Sequence, residues 1–281
     1  MGGSAMDPNV ERPAVRPRKV RFSYDELPRH WFANDPIATH LANGLHLLFP
    51  AGERYFVRSV RHYLPLFEHD PILREEIRGF SAQEGSHSRE HERVAEILEA
   101  QGYEIRPFLE KFERMFALLE PRLPPALNLA STAACEHFTA MFAEHAFTDE
   151  FREAHAHEGI RQLLMWHAAE EIEHKAVAFD VLTRVNDSWL LRAAGMTLAT
   201  FVLLSAWSAG THMLLAQDGF TFAQIRAGLR KVRASSGRDA RKDVFLKGFF
   251  EYLRPGFHPW QKDNREMVAA FLAELEATKA A

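Results

Sequence analysis

The sequence has little of what a disulfide-stapled, strand-built or phosphate-binding protein needs. One cysteine, Cys135, stands among 281 residues. It cannot close an internal disulfide, and it fits a reducing compartment. Thirty-four Lys and Arg against thirty-eight Asp and Glu leave a formal charge of −4. That is no basic excess of the kind a nucleic-acid partner selects. No apolar run of signal-peptide length appears near the N-terminus, where residues 1–21 are rich in Pro and Arg. No alternating run of strand residues is bounded by turns, no Gly-rich loop suits a phosphate, and no Ser/His/Asp triad stands out. These absences predict a cytoplasmic, all-α protein with no nucleic-acid partner.

What is present is helical periodicity over a chain that is 47% hydrophobic. Residues 1–35 read as an extended arm, because Pro8, Pro13, Pro17 and Pro28 forbid a long helix. The opening Met-Gly-Gly-Ser-Ala-Met-Asp-Pro looks like an appended leader, with Met6 as an alternative start, and is set aside. Residues 36–281 read as one helical domain, since no linker divides them. Helices are expected at about 36–48, 53–67, 70–101, 107–120, 125–147, 150–185, 188–216, 221–233, 239–253 and 260–279. Pro50 and Gly52 are expected to interrupt the first two. Asp70 followed by Pro71 predicts a capped start, and Gly102 a stop.

Fifteen histidines is a high count, and their spacing matters more than their number. A helix turns about 100° per residue. His167, Glu171 and His174 therefore share one stripe, Glu170 lies beside it, and Glu173 is expected to face solvent. Glu84 and His87 share a face one helix earlier, with His91 a turn further on. Glu53 and Glu136 stand singly among apolar neighbours, where a carboxylate is costly unless it is paired or binds metal. A lone glutamate followed by Glu-x-x-His thus occurs twice: Glu53 before Glu84/His87, and Glu136 before Glu171/His174. Two single glutamates plus two Glu-x-x-His helices form a two-metal carboxylate pattern. Four carboxylates balance two divalent ions, and imidazoles suit iron, with manganese or zinc as alternatives. His46 is expected to be a satisfied core histidine, with facing the site as the alternative, and His137 is expected to point elsewhere.

This pattern resembles the ferritin-like di-iron superfamily. More closely, Phe49-Pro50-Ala51-Gly52-Glu53-Arg54, Gln83-Glu84-Gly85-Ser86-His87, Glu136-His137-Phe138-Thr139 and the run from Trp166 to His174 resemble the bacterial family of predicted metal-dependent hydrolases. His167, four residues before Glu171, is similar to the extra histidine of p-aminobenzoate-type N-oxygenases. The resemblance implies a ferritin-like bundle and a ligand set of Glu53, Glu84, His87, Glu136, His167, Glu171 and His174. His91 is left as an eighth ligand or a hydrogen-bond partner. The expected reaction is oxidation of a small organic or lipid-like substrate by O2 at two iron ions, with an electron donor. The alternatives are hydrolysis by metal-activated water and metal binding without catalysis.

Residues 193–216 carry no Asp, Glu, Lys or Arg, and a basic segment follows: Arg226, Arg230, Lys231, Arg233, Arg238, Arg241 and Lys242. That pairing suggests contact with a membrane surface, or else a buried helix or a homodimer interface.

Overall fold

The structure is a computed structural model and describes residues 13–148, 156–236, 239 and 241–280. The first twelve residues, the expected helix start at 150, and Arg238 lie outside them. The chain is all-α. Among the described residues no strand forms, and one isolated bridge joins Phe32 to Ala156.

Eleven α-helices are named here in chain order: α1 Pro36–His46, α2 Phe49–Arg61, α3 Pro71–Ala100, α4 Arg106–Leu119, α5 Pro125–Ala146, α6 Glu158–His174, α7 Val177–Val185, α8 Trp189–Gln217, α9 Phe222–Ser236, α10 Lys247–Tyr252 and α11 Arg265–Ala280. Local chemistry explains several starts. Asp35 accepts from the backbone N–H groups of Ile37 and Ala38 at the head of α1, and Asp70 accepts from Leu73 N–H at the head of α3. Ser188 does the same for α8. Gly102, with φ at +91°, adopts the left-handed turn that ends α3.

Four helices form the central bundle. α2 packs on α3 and α5 on α6, and the two pairs meet through α2 with α5 and α3 with α6. A large apolar core fills one side, including Phe80, Leu129, Phe138 and Tyr252. α8 lies along α5 and α1 as an outer layer.

Three boundaries differ from the sequence reading. Pro50 and Gly52 sit inside α2, because a proline in the first turn sacrifices no intrahelical hydrogen bond. Glu53 is therefore carried by the opening of α2. The expected helix 150–185 is broken after His174. There Lys175 turns inward, donating to the Lys262 carbonyl and Asn264 Oδ1 while lying over the Trp260 ring. Before α10 runs a π-helical turn, Arg241–Leu246.

Of the arm, residues 13–35 are described; they form no helix, and they are packed. Phe22, Tyr24, Leu27 and Trp31 form a buried cluster with Val94 of α3 and with Ile160, Leu163 and Trp166 of α6. Burying each such side chain is worth about 1.5–3 kcal/mol. Two glycines permit the approach. A Cβ at Gly79 would lie 2.0 Å from the Val15 carbonyl oxygen, and one at Gly159 would lie 1.8 Å from that of Ser23.

α8 is long and apolar enough to cross a membrane by length and composition alone. The expectation of a helix buried in its own bundle is not met. Only 17% of its most apolar window is buried within the chain, and Leu190 and Phe201 are about 70% exposed.

Candidate metal centre

Helical spacing delivers the seven side chains to one interior point. α2 brings Glu53, α3 brings Glu84 and His87, α5 brings Glu136, and α6 brings His167, Glu171 and His174. All seven are buried, none more than 4% exposed.

Glu171 joins two groups of donors. Its Oε1 lies 2.8 Å from His167 Nε2 and 3.7 Å from His87 Nδ1, while its Oε2 lies 3.5 Å from His174 Nε2. His174 Nε2 is also 3.4 Å from Glu84 Oε1 and 3.3 Å from Glu136 Oε2. Glu53 Oε1 is 3.7 Å from His167 Nε2, and Glu84 Oε2 is 3.6 Å from His87 Nδ1. Four overlapping triads follow: Glu84, Glu171 and His174; His87, His167 and Glu171; Glu53, Glu84 and His87; and Glu53, His91 and His167. In each, the ligand atoms lie within 4.8 Å of one another.

These atoms fit metal ions. Both oxygens of Glu53, Glu84 and Glu136, Glu171 Oε2, His87 Nδ1 and His174 Nε2 are buried without a hydrogen-bond partner. Each orphan of this kind costs roughly 1–3 kcal/mol. Nine such atoms facing one interior point suit cations, which all nine can share.

A second layer fixes the histidines. His87 Nε2 donates to Glu170 Oε2 at 3.0 Å, which leaves Nδ1 aimed at the centre. His174 Nδ1 donates to Gln83 Oε1 at 2.9 Å, which leaves Nε2 aimed at the centre. The Gln83 amide is oriented by its NH2, which donates to Glu173 Oε2 at 2.9 Å and to the Arg16 carbonyl. Both lines end on Arg18 of the arm. Its guanidinium holds Glu173 at 2.7 and 2.5 Å, and its backbone N–H donates to Glu170 at 3.0 Å. Metal-binding histidines are ordinarily steadied in this way.

Glu173 thus corrects the sequence reading. It is 5% exposed and does not face solvent, because Arg18 reaches it from 155 residues away. Glu170, expected off to one side, serves as the carboxylate partner of His87. His91 takes the hydrogen-bonding role: its Nε2 lies 2.7 Å from His167 Nδ1, and its Nδ1 lies 2.7 Å from His46 Nδ1. His91 also forms a triad with Glu53 and His167. His46 is buried, but its Nε2 has no partner, so it is not the satisfied core histidine expected. His137 does turn elsewhere, donating to the Gly248 carbonyl.

Electrostatics describe a site short of positive charge. Burial pushes the Glu53 and Glu84 carboxyls well above the usual range, and the neighbouring carboxylates push them further. Glu136 rises to about 7 for the same reasons. Burial also acts to raise Glu171, but His174 and His167 outweigh it and hold that carboxyl well below the usual range. Burial acts to lower His174, but Glu171 and Glu136 raise it to about 10. Burial lowers His87 and His91 well below the ordinary imidazole value, and His46 to about 3. Divalent cations would displace the protons of the raised carboxyls and of His174 and ligate them together with the neutral His87.

Two apolar cavities touch the centre. One, about 260 Å³, reaches His167 and Glu171; the other, about 100 Å³, reaches Glu53. A second His/carboxylate cluster, His30, His40 and Asp218, lies outside the centre. Asp218 there accepts from His30, His40, Arg29 and Tyr103.

Comparison with known proteins agrees with the geometry at the level of family. Residues 16–263 match the family model described as a predicted metal-dependent hydrolase, and the chain belongs to that family. No curated protein and no solved structure matches it.

Proposed function

We propose that this chain is a metal-dependent hydrolase with a two-ion centre, acting on an apolar small molecule or a lipid-like one. The observation that carries the reading is the set of nine buried, unpartnered ligand atoms on four helices. Family membership supports hydrolysis over the oxidation put first on sequence grounds, and it reverses that order. Glu53, Glu84, Glu136, Glu171, His87 Nδ1, His167 Nε2 and His174 Nε2 would hold the ions. Divalent ions there would supply Lewis acidity toward water and, with iron, electrons for dioxygen.

The chain's own groups do the remainder. Glu170 and Gln83 keep the His87 and His174 lone pairs inward. Burial raises the Glu136 carboxyl to about 7, and a bound divalent ion would displace that proton and take the carboxylate as a ligand. The apolar walls exclude bulk water and strengthen each charge interaction.

Dioxygen-dependent oxidation is the second reading, favoured by the carboxylate-rich donors and the dry surroundings. It requires iron and an electron donor; hydrolysis requires neither. The deciding measurement compares iron-loaded with zinc-loaded protein on a panel of alkyl esters and amides, with and without air. Turnover by the zinc form under nitrogen is the expected result. Turnover confined to the iron form in air would replace hydrolysis with oxidation.

The exposed apolar face of α8, with Arg226, Arg230 and Lys231 on α9 after it, supports contact with a membrane surface. A homodimer through α8 is the competing arrangement.

A further inference from the structure

The two apolar cavities lie on either side of a single partition. Leu45, Phe49 and Thr139 line both. The Phe49 ring stands 4.4 Å from the His91 ring and 4.8 Å from the His167 ring, between centroids. Phe49 therefore sits against the centre with empty space before and behind it.

The walls specify what that space accepts. No Lys, Arg or Asp lines either cavity. The larger is closed by Ala42, Phe142, Ala143, Ala146, Leu164 and Ala168, and its His145 is already bonded to the Met141 carbonyl. The smaller is bounded by Phe56, Phe112, Met115, Phe116 and, from α8, Leu198 and Val202. Tyr55 there already donates to Asn128, and Glu120 is bound by Arg58. Thr139 already donates to the Glu136 carbonyl, and the Asn128 amide accepts from Tyr55 and donates to the Glu120 carbonyl. The buried polar atoms without a partner that line the cavities outside the centre are the Ser131 hydroxyl in the smaller and His46 Nε2 in the larger. A charged or richly hydrogen-bonding ligand would lose its hydration with little in return. A hydrocarbon gains about 0.8 kcal/mol for each buried CH2.

We propose that the cavities together seat the unbranched hydrocarbon chain of an ester or amide, with its carbonyl carbon beside Phe49 presented to the metal-binding side chains. Phe49 sets how much chain passes from one cavity to the other, and so the length accepted. This deepens the proposed hydrolase reading by naming its substrate class, and it rests on that reading only for where the reacting carbon lies.

The test measures binding of straight-chain alkanols from six to sixteen carbons to the metal-loaded full chain by calorimetry, with decyltrimethylammonium as the charged comparison. Affinity is expected to rise about fourfold per CH2 up to a cutoff length, and the ammonium compound is expected to bind at least tenfold more weakly than decanol. Phe49→Ala should move the cutoff to longer chains and Phe49→Trp to shorter ones, with helical content and metal content unchanged. If Phe49→Ala fails to fold, Leu45→Ala replaces it on the same partition. An unmoved cutoff in a folded variant overturns the proposal, as does equal binding of the ammonium compound. A Phe49-dependent cutoff in protein that holds no metal under any loading would sustain the cavity assignment and defeat the metal centre.

Discussion

Among the described residues, two clusters of histidine and carboxylate bring ligand atoms within 4.8 Å of one another. At the four-helix centre the atoms face one another without partners. Around Asp218 every charge is answered. Arg29, His30, His40 and Tyr103 all donate to that one carboxylate, at 2.7–2.9 Å for the shortest contact of each. Burial works to raise the Asp218 carboxyl, but those four donors outweigh it and hold it well below the usual range. A guanidinium within the cluster also repels a cation. The Asp218 group is a clasp joining the arm, α1 and the chain just after α8. Proximity of ligand-type residues does not identify a metal site; unanswered, buried ligand atoms do.

The contrast breaks down if the two clusters respond alike to substitution. Glu84→Ala or Glu171→Ala should remove at least one of about two ions per chain by elemental analysis of metal-loaded protein. Asp218→Ala should leave the ion count unchanged, yet destabilise folding by about 2–4 kcal/mol, because buried donors of His40 and Tyr103 lose their acceptor. Loss of metal in Asp218→Ala, or full occupancy in both glutamate variants, would reverse the assignment.

A smaller effect tests the second layer. Arg18→Ala touches no ligand, but it frees Glu170 and Glu173 together. Metal affinity should fall by roughly 10–100-fold, read by competition with a chelator. An unchanged affinity would reduce Arg18 to a packing residue.

The smallest effect is in pH dependence. With metal removed, Glu53, Glu84 and Glu136 have folded pKa values raised above those of the unfolded chain. Such groups stabilise the fold below the unfolded value and lose that contribution as pH rises through the folded one. The raised His174 acts in the same sense above its ordinary value. The lowered His46, His87 and His91 are neutral in both states above about pH 6.5, so they do not oppose the trend there. Metal-stripped protein should therefore lose thermal stability from pH 6.5 to 8. Asp218 has a lowered folded value, so its contribution is lost only as pH falls through the acid range. Thermal melts of the stripped protein and its Asp218→Asn variant should show the same slope between pH 6.5 and 8. A slope abolished by Asp218→Asn would place the titrating groups in the wrong cluster.

The donors of the centre were legible because they obey helical arithmetic. Glu84 with His87, and His167 with Glu171 and His174, share faces by spacing alone, and Glu53 and Glu136 stand out by their apolar neighbours. The all-α class followed from the same periodicity. The second layer was not legible, because its members meet across long separations. Nothing near Glu173 announces Arg18, and nothing near His46 announces that it abuts His91. The break at Lys175 and the exposure of α8 were hidden for the same reason, since both depend on what packs against them. Pro50 misled by its reputation as a breaker, although the first turn of a helix tolerates it.

The docked arm has a consequence for the order of assembly. Arg18 is made early, while Glu170 and Glu173 follow 152 and 155 residues later. At about 5–20 residues per second, the arm waits on the order of ten seconds on the ribosome before its partners exist. α3 emerges long before α6, so Glu84 and His87 are complete while half the donor set is unmade. The full donor set therefore exists only once His174 has been made. The arm's packing over Gly79 and Gly159 brings Arg18 to Glu170 and Glu173, the carboxylates that orient His87 directly and His174 through Gln83.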